Sequence, residues 1–208
     1  MAGEGRVLVR ADGDDDVVVA VSSALVTAGW IVEHAGRSTP VSEGPRLDGI
    51  VFVPGLLDTV AGLDVDPAAE LVELVESLGR RLRSGGDGGA RIVAVGSRDW
   101  LGWAGRPAVA AQAAGLVAAV RSLALERGRA GLTVNCVLAL PLDAHRRRHR
   151  GAVPGTHLHE PVALTPEPVT SADIAATVEF FLDPRSNYIT GQALHCCGGA
   201  SLLSSLSV

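Results

Sequence analysis

PAVAAQAAGLVAAVRSLALERGRAGLTVNCVLAL, running from Pro107 to Leu140, is the stretch that decides the fold. Its first part, Pro107 to Arg127, reads as a long helix opened by proline. Val109, Ala113, Leu116, Val117, Val120, Leu123 and Leu125 wrap almost all the way round it, with alanines filling the gaps. A helix that is apolar on every side needs two things to bury against, so one face is expected to meet a sheet and another a partner chain. Leu132 to Leu140 follows as a continuous apolar strand, the pattern of a parallel sheet covered on both faces.

The rest of the chain repeats this alternation. On the C-terminal side, Pro141 to Pro168 reads as a long loop and Ser171 to Leu182 as a helix, capped by Ser171 or Thr170 and stopped at Asp183-Pro184. Ile189 to Cys196 is a last strand before Gly198-Gly199 and an apolar tail, Leu202 to Val208. On the N-terminal side, Arg91 to Val95 is a strand preceded by the turn Gly85 to Gly89. Before it, a helix opens at Asp66-Pro67 with a stripe of Leu71, Leu74, Val75, Leu78 and Leu82. Asp48 to Val53 and Trp30 to His34 are strands joined by the loop Ala35 to Arg46. The chain begins with a strand at Arg6 to Ala11, an acidic turn, and a helix at Val17 to Ala28 closed by Gly29. Strands alternating with helices predict an α/β fold, a doubly wound parallel sheet of Rossmann-like type in one domain spanning 1–208.

Composition excludes several kinds of function. The 208 residues are 47% hydrophobic and 3% aromatic, enough to bury one core. A net charge of -5 with scattered arginines offers no basic face for nucleic acid. No stretch reads as a signal peptide or membrane span, and three cysteines without ladder spacing suit a reducing, cytoplasmic setting. All 18 basic residues are Arg, none is Lys, and the single Tyr is Tyr188. A mechanism that needs Tyr and Lys together is therefore excluded.

The second half resembles the short-chain dehydrogenase/reductase family, especially its 3-oxoacyl thioester reductases. Ala113 to Glu126 (AAGLVAAVRSLALE) is similar to the helix after that family's Tyr-x-x-x-Lys. LTVNCV is similar to the strand that follows, and Asp173 to Gly199 (DIAATVEFFLDPRSNYITGQALHCCGG) to the C-terminal helix, the Tyr-Ile-Thr-Gly-Gln turn and the last strand. Tyr188 is expected to be structural in that turn. The likeness covers roughly the last hundred residues.

Taken position by position, the resemblance implies lost chemistry. Val109 stands where the family has its catalytic Tyr and Ala113 where it has its Lys, and neither can donate a proton. Ser97 matches the carbonyl-orienting Ser and reads as a vestigial strand-end residue. No Asn in Pro67 to Arg83 matches the fourth catalytic residue, and the family's Asn-Asn-Ala-Gly appears as Phe52-Val53-Pro54-Gly55. The family's glycine-rich turn, which brings backbone N–H groups against a pyrophosphate, reads Ala11-Asp12-Gly13-Asp14-Asp15-Asp16-Val17 here. Asp14, Asp15 and Asp16 read as a cap that replaces the ligand, with a metal site as a minor alternative. Arg37, matched to an Arg that holds a ribose phosphate, reads as a solvated turn residue. The loop Ala35 to Arg46 is too short for the usual helix and strand, so one sheet edge is expected to be trimmed.

The remaining polar features are modest. His145 to Arg150, in the loop that covers substrate in the family, offers four arginines to an acyl carrier protein or to coenzyme A, or is a solvated loop. His157 and His159 read as an incidental pair, His195 as a packed histidine, and Cys196 and Cys197 as unable to bond each other across a strand. No metal site is expected.

The leading expectation is a catalytically inactive subunit of a heteromeric NAD(P)-dependent 3-oxoacyl reductase or dehydrogenase. It has no catalytic or cofactor-binding residues of its own and no cofactor in this chain. An active paralogue supplies NAD(P)H in a 2+2 heterotetramer. Alternatives are a stand-alone ketoreductase using unorthodox residues such as Ser97 and Arg98, and a ligand-binding regulatory module. The positions of Met1 and Val208 relative to the family's ends lead to the expectation of a complete chain.

Overall fold

The computed structural model describes residues 5–12, 15–59, 61–103, 105–142 and 163–203. Six strands, β1 (Arg6–Ala11), β2 (Ile31–Ala35), β3 (Gly49–Val53), β4 (Arg91–Ser97), β5 (Thr133–Ala139) and β6 (Ala193–Cys196), form one parallel sheet in the order β2-β1-β3-β4-β5-β6. Helices α1 (Asp16–Thr27) and α4 (Ser171–Leu182) cover one face, α2 (Pro67–Leu78) and α3 (Pro107–Arg127) the other, and a short α5 (Ala200–Leu203) follows β6. This is the doubly wound, Rossmann-like α/β domain that the alternation predicts. Every residue of β3, β4 and β5 is buried, the physical counterpart of their unbroken apolar sequences.

The sheet is trimmed where the short loop required it. Residues 36–48 join β2 to β3 with no helix or strand of their own beyond one bridge from Leu47 to Leu82, and β2 is left as an edge. The chain crosses back over β1 to reach β3, so strand order reverses between β1 and β3. That reversal makes the C-terminal ends of the strands the place where a ligand crevice forms in open α/β sheets.

α3 shows what its wrapped apolar pattern means. Val109, Ala113, Leu116, Val117, Val120, Leu123 and Ala124 are buried against β4, β5 and α2. Each buried Leu or Val of this set contributes on the order of 1.5–3 kcal/mol. The opposite side leaves Ala108, Ala111, Ala118 and Leu125 exposed, so Leu125 does not join the buried set that its spacing predicts. α3 with the turn after it is also long and apolar enough to cross a membrane by composition alone, but it serves here as a core helix under the sheet.

Boundaries move where local chemistry overrides the apolar pattern. α2, capped by Asp66 Oδ1 accepting from Ala68 N at 2.9 Å, stops at Leu78 because Gly79 takes φ 41, and a single 3-10 turn at Gly79–Arg81 carries the chain on. The last strand starts at Ala193, not Ile189, because residues 188–192 are a turn pinned by β5. Buried Asn135 donates to Ile189 O at 2.8 Å and accepts from Gln192 N at 3.0 Å, while Thr190 Oγ accepts from Val134 N. Tyr188 projects from this turn into solvent. Below the sheet, Gly89 and Gly131 meet backbone to backbone. A Cβ on either, built at φ 73 or φ 83, would fall within 2.3 Å of the neighbouring turn.

Candidate functional site

Three groups of residues converge on the C-terminal ends of the strands. The first follows β1. Asp15 caps α1, its Oδ1 accepting from Val17 N and Val18 N, both at 2.8 Å. Asp16 lies in the first turn, where its charge favours the helix dipole. Asp14 and Gly13 lie outside the described residues. Asp12 accepts from the backbone N of Arg37 at 2.6 Å and pairs with its guanidinium at 3.2 Å, and Glu70 of α2 holds the same Nε at 3.1 Å. Arg37 is therefore no solvated turn residue: it is clamped between two carboxylates, because the short β2–β3 loop lays it across the start of α2. This arrangement does not fit a dinucleotide pyrophosphate. The N–H groups that would cradle it at Val17 and Val18 are already satisfied by Asp15, and the cation beside them is already neutralised.

A groove of roughly 670 Å³ lies beside this turn, between the β2–β3 loop and α2, lined by Arg10, Arg37, Thr39, Asp66, Glu70 and Glu73 among others. Arg10 is buried and spends its guanidinium on carbonyls of the loop, donating to Thr39 O at 2.8 Å and to Arg37 O. The groove's wall is thus held together by its own charges.

The second group follows β4. Ser97 is buried at the strand end and its Oγ accepts from Asp99 N at 3.2 Å, capping the one-turn 3-10 helix Arg98–Leu101. Val109 and Ala113 lie in the apolar core with Leu116, fully enclosed. Asp99 pairs with Arg106 at 2.8 Å, both deeply buried, and Arg106 also donates to Thr59 O at 2.5 Å.

The third group joins β4 to β6. Trp100 Nε1 donates to His195 Nε2 at 3.0 Å and the two rings stack with centroids 6.0 Å apart. Burial, and then the charge of Arg98, hold the His195 imidazole below its ordinary pKa. With Nε2 accepting, the neutral ring carries its proton on Nδ1. Arg98 itself is 0% exposed, with Trp103 over its guanidinium at 5.3 Å. The sequence signal for this cluster is Arg98-Asp99-Trp100-Leu101-Gly102-Trp103, two charges and two large aromatics straight after a parallel strand. His195 alone reads as packing, since its partner is 95 residues away.

The cysteines are all free. Burial pushes the Cys136 thiol up to about 12, and Cys196 is raised in the same way. Among the described residues no cluster of three or more His, Cys, Asp or Glu could hold a metal ion. His145 to Arg150, His157 and His159 lie outside the described residues.

Comparison with known proteins places these features in a family. Residues 62–201 match a family described as enoyl-(acyl carrier protein) reductase. The chain is 32% identical to subunit BbsC of the hydroxy(phenyl)methylsuccinyl-CoA dehydrogenase of Thauera aromatica, over 94% of this chain and 79% of BbsC. It is 40% identical to subunit BbsD of the same dehydrogenase over 55% of this chain, which spans about half of BbsD, 46%. Among solved structures, actinorhodin polyketide ketoreductase with NADPH superposes with a TM-score of 0.72 at 18% identity, over 97% of this chain and 99% of that one. A short-chain dehydrogenase family protein from Francisella tularensis gives a TM-score of 0.71 at 16% identity, over 96% of this chain and 100% of that one. At these identities the structural likeness shows the fold alone.

These relatives correct one expectation. A chain that is no enzyme on its own, the reading drawn from Val109 and Ala113, runs against sequence relatives that are dehydrogenase subunits and 3-oxoacyl-[acyl-carrier-protein] reductases. The physical reason is that replacing two side chains removes one route for a proton, while it leaves other polar groups, Ser97, Arg98 and His195 among them, at the strand ends.

Proposed function

Because the chain belongs to the short-chain dehydrogenase/reductase family, we propose that it is one subunit of a heteromeric oxidoreductase that interconverts 3-hydroxyacyl and 3-oxoacyl thioesters. The partner is a second member of the family, in a 2+2 assembly. The observation that carries this reading is that one chain resembles two different subunits of a single dehydrogenase, BbsC along nearly its whole length and BbsD along half of it. Coenzyme A esters are favoured over acyl-carrier esters, because that dehydrogenase acts on a coenzyme A ester.

NAD(P)H is assigned to the partner subunit. In support, the start of α1 is capped by Asp15 and its neighbouring cation is held by Asp12 and Glu70. The contact with the partner is assigned to the open side of α3, where Ala108, Ala111, Ala118 and Leu125 give a small-residue apolar surface that allows helices to approach closely. Three free thiols suit a cytoplasmic assembly.

Co-expression with a family member encoded beside it tests the reading. The expected result is co-elution at the mass of two plus two chains, with 3-hydroxyacyl-CoA oxidation by the pair exceeding the sum of the separate chains. A stable homo-oligomer that ignores the second chain, with no gain in rate on mixing, overturns it. Titrating the isolated chain with NADPH and following nicotinamide fluorescence checks the cofactor assignment, for which no enhancement at millimolar cofactor is expected.

A further inference from the structure

Five arginines are buried among the described residues: Arg10, Arg81, Arg91, Arg98 and Arg106. Four of them have hydrogen-bond acceptors within the chain, although Nε of Arg10 and of Arg106 is left over. Arg10 donates to the carbonyls of Thr39 and Arg37, Arg81 to Glu33 and the carbonyls of Val41 and Pro45, Arg91 to Asn187, and Arg106 to Asp99 and Thr59 O. Arg98 is the exception among the described residues. It is 0% exposed, and Nε, Nη1 and Nη2 all lack a hydrogen-bond acceptor.

A guanidinium stays charged in any protein environment, and an enclosed charge without hydrogen bonds is among the costliest groups a fold can hold. Among the described residues Asp99 eases its charge through space, but none gives it a hydrogen bond. The adjacent carboxylate, Asp99, forms an ion pair with Arg106, and His195, close enough to feel the charge of Arg98, accepts from Trp100, so its remaining proton makes it a second donor. Trp103 covers the guanidinium and excludes water from it. Arg98 also stands at the C-terminal end of β4, beside the end of β6, on the side of the sheet where open α/β folds bind ligands.

We propose that Arg98 receives a carboxylate of the acyl substrate, so that the chain selects thioesters whose acyl group carries a free acid. A carboxylate matches the planar fork of the guanidinium in charge and geometry, and its second oxygen leaves a lone pair for a neutral donor such as His195. The inference rests on the proposed thioester chemistry, and it names the acyl class.

The probe is succinyl-CoA set against butyryl-CoA, of the same chain length without the acid, each titrated into the full chain with intrinsic tryptophan emission and calorimetry as readouts. Trp100 and Trp103 lie beside Arg98, so occupancy is expected to quench emission. The expected preference for succinyl-CoA is about tenfold to a hundredfold, the range of a charge-assisted, bidentate hydrogen bond. Arg98→Met is expected to bind both esters equally and to melt no lower than the unaltered chain, since it removes an unpaired buried charge. Arg98→Lys keeps the charge without the fork and is expected to retain part of the preference. Equal binding of the two esters by the unaltered chain overturns the proposal, as does a preference that survives Arg98→Met. Should Arg98→Met not fold, competition by free succinate against succinyl-CoA decides: displacement supports the site, and none overturns it. A chain that discriminates the esters yet ignores its paralogue keeps this inference and loses the assembly, and the reverse result does the opposite.

Discussion

The C-terminal ends of β1 and β4 lie two strands apart in one sheet, and their charges are handled in opposite ways. After β1, Asp15 caps α1, and Asp12 and Glu70 clamp Arg37, so these four charged groups have partners inside the chain. After β4, Asp99 and Arg106 pair with each other, but Arg98 is sealed in without an acceptor among the described residues. A strand end whose polar groups are mutually satisfied has no unused bonding to offer a ligand. One that keeps a buried charge unsatisfied does, and it carries a stability cost until the ligand arrives.

The contrast can be broken most forcefully at Asp99. Asp99→Ala leaves Arg106 as a second unpaired buried cation beside Arg98, and the expected loss is about 3–5 kcal/mol of unfolding free energy, read from urea denaturation. A loss under about 1 kcal/mol, the range of exposed ion pairs, would place this end of the sheet in solvent. At the β1 end, Asp15→Ala removes an N-cap and is expected to cost about 1 kcal/mol, measured the same way. Asp12→Ala breaks a half-exposed pair whose cation still has Glu70, so the expected loss is smaller, within about 0.5 kcal/mol, and should vanish in 0.5 M salt, an ionic strength at which the Debye length is only about 4 Å.

The smallest effect concerns pH. His195 is neutral in the fold and its pKa is depressed below the ordinary 6.5, so the unfolded chain binds the proton first as pH falls. The stability it contributes is present above pH 6.5 and is lost as pH drops below that value. A melting series from pH 7.5 to 5 is expected to show this decline, and His195→Gln is expected to flatten part of it. An identical slope in both proteins would show that burial and Arg98 do not hold the ring neutral.

Legibility in the sequence followed how local each feature is. The cap at α1 was readable because an acidic residue before an apolar helical run has few other uses, and the structure realises it with Asp15. Arg37 was not, since its two carboxylates come from Asp12 and Glu70, 25 and 33 residues away. Leu125 looked like one more core position of α3, and only the placement of α2 and the sheet leaves it at 85% exposure. His195 read as packing because Trp100, its partner, comes from another strand end.

By itself the sequence determined the architecture, because unbroken apolar strands between helices can be buried only in a parallel sheet covered on both faces, and the short β2–β3 loop left no room for another strand. It also determined that proton chemistry by a Tyr and a Lys together is closed to these 208 residues, since they contain no Lys. Only the tertiary structure decided which charges are satisfied. An arginine's letter is the same whether it is paired or stranded, and the difference between Arg106 and Arg98 arises from the carboxylates and aromatic rings that folding brings around each one.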